Sequence, residues 1–166
     1  MTKHGNKIYI YGGRNFDTNQ VSNQLWSFDL NKETWELHNT FGKTLVPVYE
    51  HKACNAGKGY LIIYGGKHNF KDFSNSMFII NLFNFKVGTV DSNLINTPCK
   101  RTNFQMTFDF HSNKLIIFGG EKVRDVEEEF KQGEYYMGET KIDTNDPFFN
   151  QVYEFDFAKL KDYIKF

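Results

Sequence analysis

Residues 61–67 read LIIYGGK, a run of four apolar residues that ends in two glycines and a lysine. Residues 8–14 read IYIYGGR, and residues 115–121 read LIIFGGE. The first glycines of the three pairs are Gly12, Gly65 and Gly119, so the copies lie 53 and 54 residues apart. Self-similarity at a fixed period is typical of repeat architectures. We therefore interpret the chain as three copies of one structural unit.

A second apolar segment follows each glycine pair at a matching place. Asn23, Asn75 and Asn150 precede the segments QLWSFDL, SMFIINL and QVYEFDF. The segments are short, rich in Ile, Tyr, Phe, Leu and Val, and bounded by Gly, Asn, Asp and Ser, which predicts strands. LIIY and LIIF are continuously apolar, as in strands buried on both faces, whereas QVYEFDF alternates like a strand with one wetter face.

The glycine pairs end the predicted buried strands. Glycine adopts positive φ without a Cβ clash and lets another backbone approach closely. We therefore expect structural roles for all six residues, which are Gly12, Gly13, Gly65, Gly66, Gly119 and Gly120.

The pattern resembles the kelch repeat family: a hydrophobic strand ending in Gly-Gly, a loop, an Asn-led strand ending near Asp, and an aromatic residue about six positions later. In this chain the aromatic residue is Trp35. The family also carries an Arg and, three residues later, a His. The second repeat has Val48 and His51 at these positions, and the third has Arg101 and Phe104. The resemblance implies an all-β fold of about three four-stranded antiparallel blades of a kelch-type β-propeller.

The predicted blades span approximately residues 1–46, 47–97 and 98–166. Blade 1 is expected to be incomplete, because the seven residues before Ile8, MTKHGNK, are too few and too polar for a first strand. The terminal segment DYIKF is expected to form or begin the last strand of blade 3. About ten or eleven strands fall short of the four or more blades of a closed ring. We expect the chain to belong to a larger propeller, completed by further residues or by a partner chain. The alternative is a free-standing protein of three blades.

The third repeat carries an insertion at residues 121–149. From the second glycine to the next strand's Asn takes ten residues in repeat 1, nine in repeat 2 and thirty in repeat 3. Insertions in repeat proteins often project from one face and bind partners. Tyr135, Tyr136, Phe148 and Phe149 would be the anchors here. The alternative is a solvated or partly disordered acidic segment.

The resemblance implies a non-catalytic module for protein–protein interaction and scaffolding. Its partners would be other proteins, and we expect neither a cofactor nor a metal. The loops after the glycine pairs provide the candidate binding residues, which are Arg14, Asn15, Phe16, Lys67, His68, Asn69 and Phe70. Ordinary loop capping by these polar residues is the alternative reading.

A propeller enzyme is the alternative class of function. Some kelch-like propellers are copper radical oxidases, sialate epimerases or iron-dependent specifier proteins. Glu121, Asp125 and Glu129 are spaced four apart like the acidic ligands of the specifier proteins, but that family pattern ends in His. The three carboxylates could share a helical face and hold a hard cation, or form a solvated turn, which we favour. The five histidines form no HxH or HExxH motif.

Composition indicates an intracellular setting. The formal net charge of zero gives no electrostatic reason to expect nucleic acid or an anionic membrane. The sequence has neither an apolar run of 18 residues nor a signal-like N-terminus. We therefore expect a cytoplasmic protein, or one in an assembly associated with the cytoskeleton or an organelle. Cys54 and Cys99 are expected to be reduced and packed, although a disulfide is conceivable.

Overall fold

The computed structural model of the chain describes residues 1–90, 98–121, 152–160 and 164–165. Within these ranges the chain forms one short helix and three sheets, in which every strand pair but one is antiparallel. We call the sheets sheet 1, sheet 2 and sheet 3 in chain order. The predicted anchors Tyr135, Tyr136, Phe148 and Phe149 lie outside the described residues.

Sheet 1 has the strand order β1-β2-β3-β4. Its strands are β1 (Thr2–His4), β2 (Lys7–Tyr11), β3 (Leu25–Asp29) and β4 (Thr34–His38). The expectation that no first strand precedes Ile8 is wrong, since β1 pairs with β2 from Thr2 opposite Tyr9 to His4 opposite Lys7. A two-residue turn makes this possible, because Gly5 has a φ of 57° and lets the chain reverse at once.

Sheet 2 is built on the order β9-β8-β7-β6. Its main strands are β6 (Lys52–Asn55), β7 (Tyr60–Tyr64), β8 (Met77–Asn81) and β9 (Lys86–Val90). Two short strands cover the free edge of β9. They are β5 (Phe41–Gly42), which pairs in parallel, and β13 (Ile164–Lys165), which pairs antiparallel. The segment DYIKF therefore contributes its strand to sheet 2, and the expected last strand of blade 3 is wrong in its placement.

Sheet 3 has the order β10-β11-β12. Its strands are β10 (Gln105–Asp109), β11 (Lys114–Phe118) and β12 (Val152–Asp156). The helix α1 (Phe157–Leu160) follows β12 directly and buries Phe157 and Leu160. The Asp156 side chain begins this helix by accepting a hydrogen bond of 2.9 Å from the Ala158 amide. Sheet 3 therefore has three strands within the described residues instead of the expected four.

Two hydrophobic cores join the sheets, and sheet 2 lies between them. Leu61 and Ile63 of β7 pack with residues of sheet 1, whereas Ile62 and Tyr64 pack with residues of sheet 3. Successive side chains of a strand point to opposite faces, so a strand between two cores needs apolar residues throughout. All four side chains are at most 1% exposed. The prediction that the LIIY run is buried on both faces is confirmed. The same prediction for the LIIF run is wrong within the described residues, because Ile116 is half-buried and Phe118 is 48% exposed on the face that points away from sheet 2.

Candidate interaction face

The glycine pairs place three loops at one end of the sheets. The β2–β3 loop follows Gly12, the β7–β8 loop follows Gly65, and the loop after β11 begins at Gly119. We call this end the interaction face. Each of these first glycines has a positive φ between 64° and 69°. The chain therefore leaves each buried strand through a backbone conformation that residues with a Cβ adopt at a cost.

Two short segments connect consecutive sheets beside these glycines. We call residues 48–51 and 101–104 the connecting segments. The Gly13 amide donates a hydrogen bond of 2.9 Å to the Val48 carbonyl, and the Gly66 amide donates one of 2.9 Å to the Arg101 carbonyl. The backbones lie so close that a Cβ at Gly12 would be 2.3 Å from the Val48 oxygen. The glycines thus allow a neighbouring blade to dock by its main chain.

The two connecting segments have the same local structure. Their third residues, Glu50 and Asn103, have φ values of 56° and 52°. Their fourth residues, His51 and Phe104, place rings close to the glycine pairs. The proposed correspondence between the repeats at these positions is therefore seen in the structure.

Arg101 is among the largest fully buried side chains of the described residues, with 1% exposure. Its Nη1 donates a hydrogen bond of 2.7 Å to the Gly119 carbonyl, and its Nε donates one of 3.2 Å to the Cys99 carbonyl. The guanidinium also lies 4.8 Å from the centre of the Tyr153 ring. The Arg position of the repeat therefore ties the connecting segment to the next glycine pair. The sequence pattern marked the position but not these partners.

The loop tips of sheets 1 and 2 are shaped by asparagines. The Asn15 side chain accepts hydrogen bonds from the Asp17 and Thr18 amides at 2.9 and 3.0 Å. The Asn69 side chain accepts equivalent bonds from the amides two and three residues later, both at 2.9 Å. Such turns satisfy backbone donors locally. The loop-capping reading therefore describes what both asparagines do in the fold.

The residue after each asparagine is an exposed phenylalanine. Phe16 is 84% exposed and Phe70 is 71% exposed. The guanidinium of Arg14 lies between them, 5.6 Å from the Phe16 ring centre and 4.1 Å from that of Phe70. It also lies 5.4 Å from the ring of Tyr49, a contact that sequence reasoning missed. The structure thus brings together three of the predicted binding residues from two different loops.

Lys67 and His68 are engaged within the fold. The Lys67 ammonium lies 2.7 Å from the Glu50 carboxylate, which also accepts a hydrogen bond of 2.9 Å from the Thr102 hydroxyl. Partial burial alone would raise the pKa of Glu50, but these two hydrogen bonds hold it below its ordinary value. The His68 ring makes a hydrogen bond of 2.8 Å with the Pro47 carbonyl. A binding role for Lys67 and His68 stays a prediction.

The structure also places the groups considered for catalysis. Glu121 pairs by its backbone with Thr102, while Asp125 and Glu129 lie outside the described residues. Within the described ranges, no group of three His, Cys, Asp or Glu side chains is close enough to hold a metal ion. Both cysteines are free. Cys54 is buried, which raises its pKa to about 12, whereas Cys99 is exposed instead of packed.

A β-propeller is the class of protein that these features define: successive antiparallel sheets joined face to face, with turns at one end docking the next sheet. The family model described as the KLHDC2/KLHL20/DRC7 Kelch-repeats domain matches residues 1–163. The chain belongs to the kelch-repeat family, and kelch repeats generally mediate protein interactions. Over the part of the chain that the structure describes, no helix has the length and apolar character needed to cross a membrane.

Known proteins resemble the chain in part. Kelch domain-containing protein 3 of Rattus norvegicus is 31% identical over 119 residues, which cover 68% of this chain and 28% of the rat protein. Rho GTPase-activating protein gacHH of Dictyostelium discoideum is 31% identical over 83 residues, which cover 50% of this chain and 5% of that protein. The solved kelch β-propeller YjhT superposes with a TM-score of 0.58 at 13% identity, covering 71% of this chain and 42% of YjhT. The YjhT match concerns the fold alone.

Proposed function

We propose that the chain is a non-catalytic kelch module that binds another protein through the interaction face. The observation that supports this proposal most is the arrangement of Phe16, Arg14 and Phe70. Two largely exposed aromatic rings flank a guanidinium, and they come from adjacent loops of two blades. Aromatic and Arg side chains are the residues that most often dominate binding energy at protein interfaces.

Rigid presentation is the proposed mechanism. The asparagine turns and the docked connecting segments hold the loop tips, so a partner does not have to order them on binding. The free energy that ordering would consume is then available as affinity. The partner would place an apolar or aromatic surface against the exposed sides of the two phenylalanine rings.

A pair of double variants tests this proposal. Phe16→Ala with Phe70→Ala should remove the protein that co-purifies with the full-length protein, while the free energy of unfolding should change little because both rings are exposed. The matched control is Phe83→Ala with Phe110→Ala, since these rings are 74% and 67% exposed and lie on the turns at the opposite end of the sheets. Equal loss of the partner in both double variants, or retention in both, would contradict the proposal.

We further propose that another β-sheet completes the propeller beside sheet 1. The face of sheet 1 that points away from sheet 2 is apolar, and we call it the outer face of sheet 1. By strand register it carries Ile8, Ile10, Trp26, Phe28, Trp35 and Leu37. Trp35 is 55% exposed and Leu37 is 44% exposed. A contiguous apolar face of this kind is typical of an interaction surface.

Tryptophan fluorescence reports directly on this face. The chain has two tryptophans, Trp26 and Trp35, and both lie on the outer face of sheet 1. If a further sheet covers the face, emission of the longer protein that contains this chain should be shifted to the blue relative to the 166-residue chain. Identical emission from both proteins would argue against completion at this face.

We also propose that the module has no catalytic activity. Analysis of the metal content of the full-length protein tests this part of the proposal. A full-length protein that co-purifies with partners and holds no metal would agree with a scaffold. Stoichiometric copper or iron in that protein would favour the alternative, a fragment of a propeller enzyme or specifier-type protein.

A further inference from the structure

The connecting segments make the same backbone pairing in two of the three blades. In blade 2 the Tyr49 and Lys67 backbones exchange two hydrogen bonds of 3.0 and 2.8 Å. In blade 3 the Thr102 and Glu121 backbones exchange two of 3.0 and 2.9 Å. In each case the partner is the residue directly after the glycine pair.

Arg14 is the equivalent residue of blade 1, and its pairing is incomplete. One side of Arg14 forms a bridge to Val21, with flanking hydrogen bonds from the Asn15 amide to the Gln20 carbonyl and from the Ser22 amide to the Gly13 carbonyl. The amide and carbonyl of Arg14 itself point to the other side, and neither has a hydrogen-bond partner among the described residues. An unpaired strand edge of this kind is a template for another strand.

A groove runs beside this edge. It has a volume of about 550 Å³, and its lining includes Gly13, Arg14 and Val21. The connecting segments lie between consecutive sheets, so the equivalent place in blade 1 is the side that faces away from sheet 2. The groove therefore lies on the same side of sheet 1 as its outer face.

The second glycines of the pairs show that the groove has room for a backbone. A Cβ at Gly66 would lie 2.6 Å from the Tyr49 carbonyl, and a Cβ at Gly120 would lie 2.7 Å from the Thr102 carbonyl. At Gly13, by contrast, nothing lies within 4 Å of the equivalent Cβ position. Gly13 has the same backbone conformation, with a φ of 105° against 88° and 104°. The space that a connecting segment fills in blades 2 and 3 is thus open in blade 1.

We propose that this groove is the binding site of an extended peptide segment that pairs with the backbone of Arg14. The occupant is a connecting segment from a further kelch blade, so this inference rests on the proposed completion of the propeller beside sheet 1. The segments at residues 48–51 and 101–104 cannot be the source, even from a second copy of the chain. Val48 and Arg101 are each 1% exposed because their segments are already docked.

The two existing segments define the chemistry of the occupant. Its second residue exchanges the two hydrogen bonds with Arg14, as Tyr49 and Thr102 do with their partners. Its third residue adopts positive φ, as Glu50 and Asn103 do, which favours Asn, Asp or Gly. Its fourth residue carries a ring and places its Cβ beside Gly13, since the Cβ atoms of His51 and Phe104 lie 2.8 and 2.7 Å from the Cβ positions at Gly66 and Gly120.

A peptide titration tests the proposal. The probe is a synthetic peptide with the sequence of residues 100–107, KRTNFQMT, which has Asn at the positive-φ position and Phe at the ring position. The 166-residue chain is titrated and followed by amide NMR. We expect a saturable downfield shift and slower hydrogen exchange of the Arg14 amide, with smaller changes at Gly13. Peptide concentrations up to about 5 mM suffice, because a few hydrogen bonds and one ring support millimolar binding.

The matched control is the same peptide with an N-methyl group on the threonine that corresponds to Thr102, which removes the amide that pairs with Arg14. Its affinity should fall at least about tenfold, since one hydrogen bond and the fit of the paired backbones are both lost. An Arg14→Lys chain should bind both peptides as before, because the pairing uses the main chain. Unchanged Arg14 and Gly13 signals, or equal binding of the methylated peptide, would overturn the proposal.

Failure of this inference can be told apart from failure of the proposed completion. Tryptophan emission can show that the outer face of sheet 1 is covered in the longer protein. If the Arg14 amide of that protein still exchanges freely, completion of the propeller beside sheet 1 stands, and binding of a segment in the groove is refuted. If the emission shows no covering, the completion is refuted, and binding of the probe peptide alone decides whether the groove accepts a segment.

Discussion

Gly65 shows how one residue links the local backbone to the packing of two blades. Its φ is 69°, and a Cβ there would lie 2.7 Å from the Phe104 ring and 2.8 Å from the Arg101 carbonyl. The positive φ is a conformational constraint on this residue, and the two short distances are a steric one. A side chain at Gly65 would therefore strain its own turn and also push away the connecting segment of the next blade.

The Gly65→Ala substitution should lower the free energy of unfolding by roughly 3 kcal/mol, the sum of about 1 kcal/mol of backbone strain and the cost of overpacking. Gly5→Ala is the matched control. Gly5 has a φ of 57°, and a Cβ there would meet nothing within 4 Å, so only the strain applies. Chemical denaturation of both variants measures the difference. Equal losses in the two variants would show that Gly65 is needed for its conformation alone.

His51 makes stability depend on pH. Burial lowers the pKa of His51 to about 4 from the ordinary 6.5. The unfolded chain then binds a proton before the folded chain does, so folded stability is lost as the pH falls from about 6.5 to about 4. Above 6.5 the residue contributes no pH dependence. The full effect is about 3 kcal/mol, from the size of the shift.

His51→Phe should remove this part of the pH dependence, because Phe104 holds the same position in the other connecting segment. Denaturation at pH 7 and pH 4.5 measures the loss of stability in both chains. The variant should lose less stability than the parent on acidification. Some loss should remain, since burial also lowers the pKa of His38. An equal loss in both chains would mean that His51 is charged or solvated in the folded protein.

The loops are the elements in which local side chains decide the structure. In the β7–β8 loop, the Asn69 side chain accepts hydrogen bonds from the Lys71 and Asp72 amides and so presents Phe70. The β2–β3 loop repeats the arrangement around Asn15. The sequence shows this likeness as the shared dipeptide Asn-Phe, but it does not show which asparagine atoms accept bonds.

Asn69→Ala should loosen this loop without unfolding the sheets. Two backbone donors lose their acceptor, which costs on the order of 1 kcal/mol each locally. Hydrogen exchange of the Lys71 and Asp72 amides should become severalfold faster, while the Ile79 amide in β8 should be unaffected. Asn69→Asp is the control, because a carboxylate keeps the acceptor and should preserve the protection. Unchanged exchange in the Ala variant would mean that other contacts hold the loop.

The strands with a continuous apolar pattern could be predicted from the sequence, whereas the short strands at the two ends of the chain could not. The central strands β7 and β8 could be predicted because both of their faces are buried and apolar. β1 was missed because a three-residue strand of TKH has no apolar pattern, and only its turn at Gly5 marks it. β13 was assigned to the wrong sheet because a two-residue strand has too little pattern to show which edge it joins.

At the scale of the whole molecule, the repeat explains why sheet 2 is buried on both faces while the other two sheets each have one exposed face. Sheet 2 has a blade on each side, so both faces of its β7 strand are buried. In sheet 3 the equivalent residue of Tyr64 is Phe118, which is 48% exposed. In sheet 1 the outer face carries both tryptophans of the chain. Apolar residues at these two end faces follow the repeat, because the equivalent positions of sheet 2 are apolar and buried between two sheets.

The candidate site could be predicted only in part from the sequence. The positions of Phe16 and Phe70 followed from the glycine pairs. Their approach to Arg14, and the part that Tyr49 plays, depend on how two blades dock, and no local pattern describes that geometry. The open space beside Gly13 depends on the positions of the connecting segments in the other two blades, and no local pattern describes it either.

The most direct test of the kelch architecture is the partner of the glycine amides across blades. Scalar couplings through hydrogen bonds, measured by NMR in the 166-residue chain, identify the carbonyl that each amide contacts. Docked blades predict couplings from the Gly13 amide to the Val48 carbonyl and from the Gly66 amide to the Arg101 carbonyl, which are both 2.9 Å apart. Couplings from these amides to carbonyls within their own sheets would contradict blade docking through the glycine pairs.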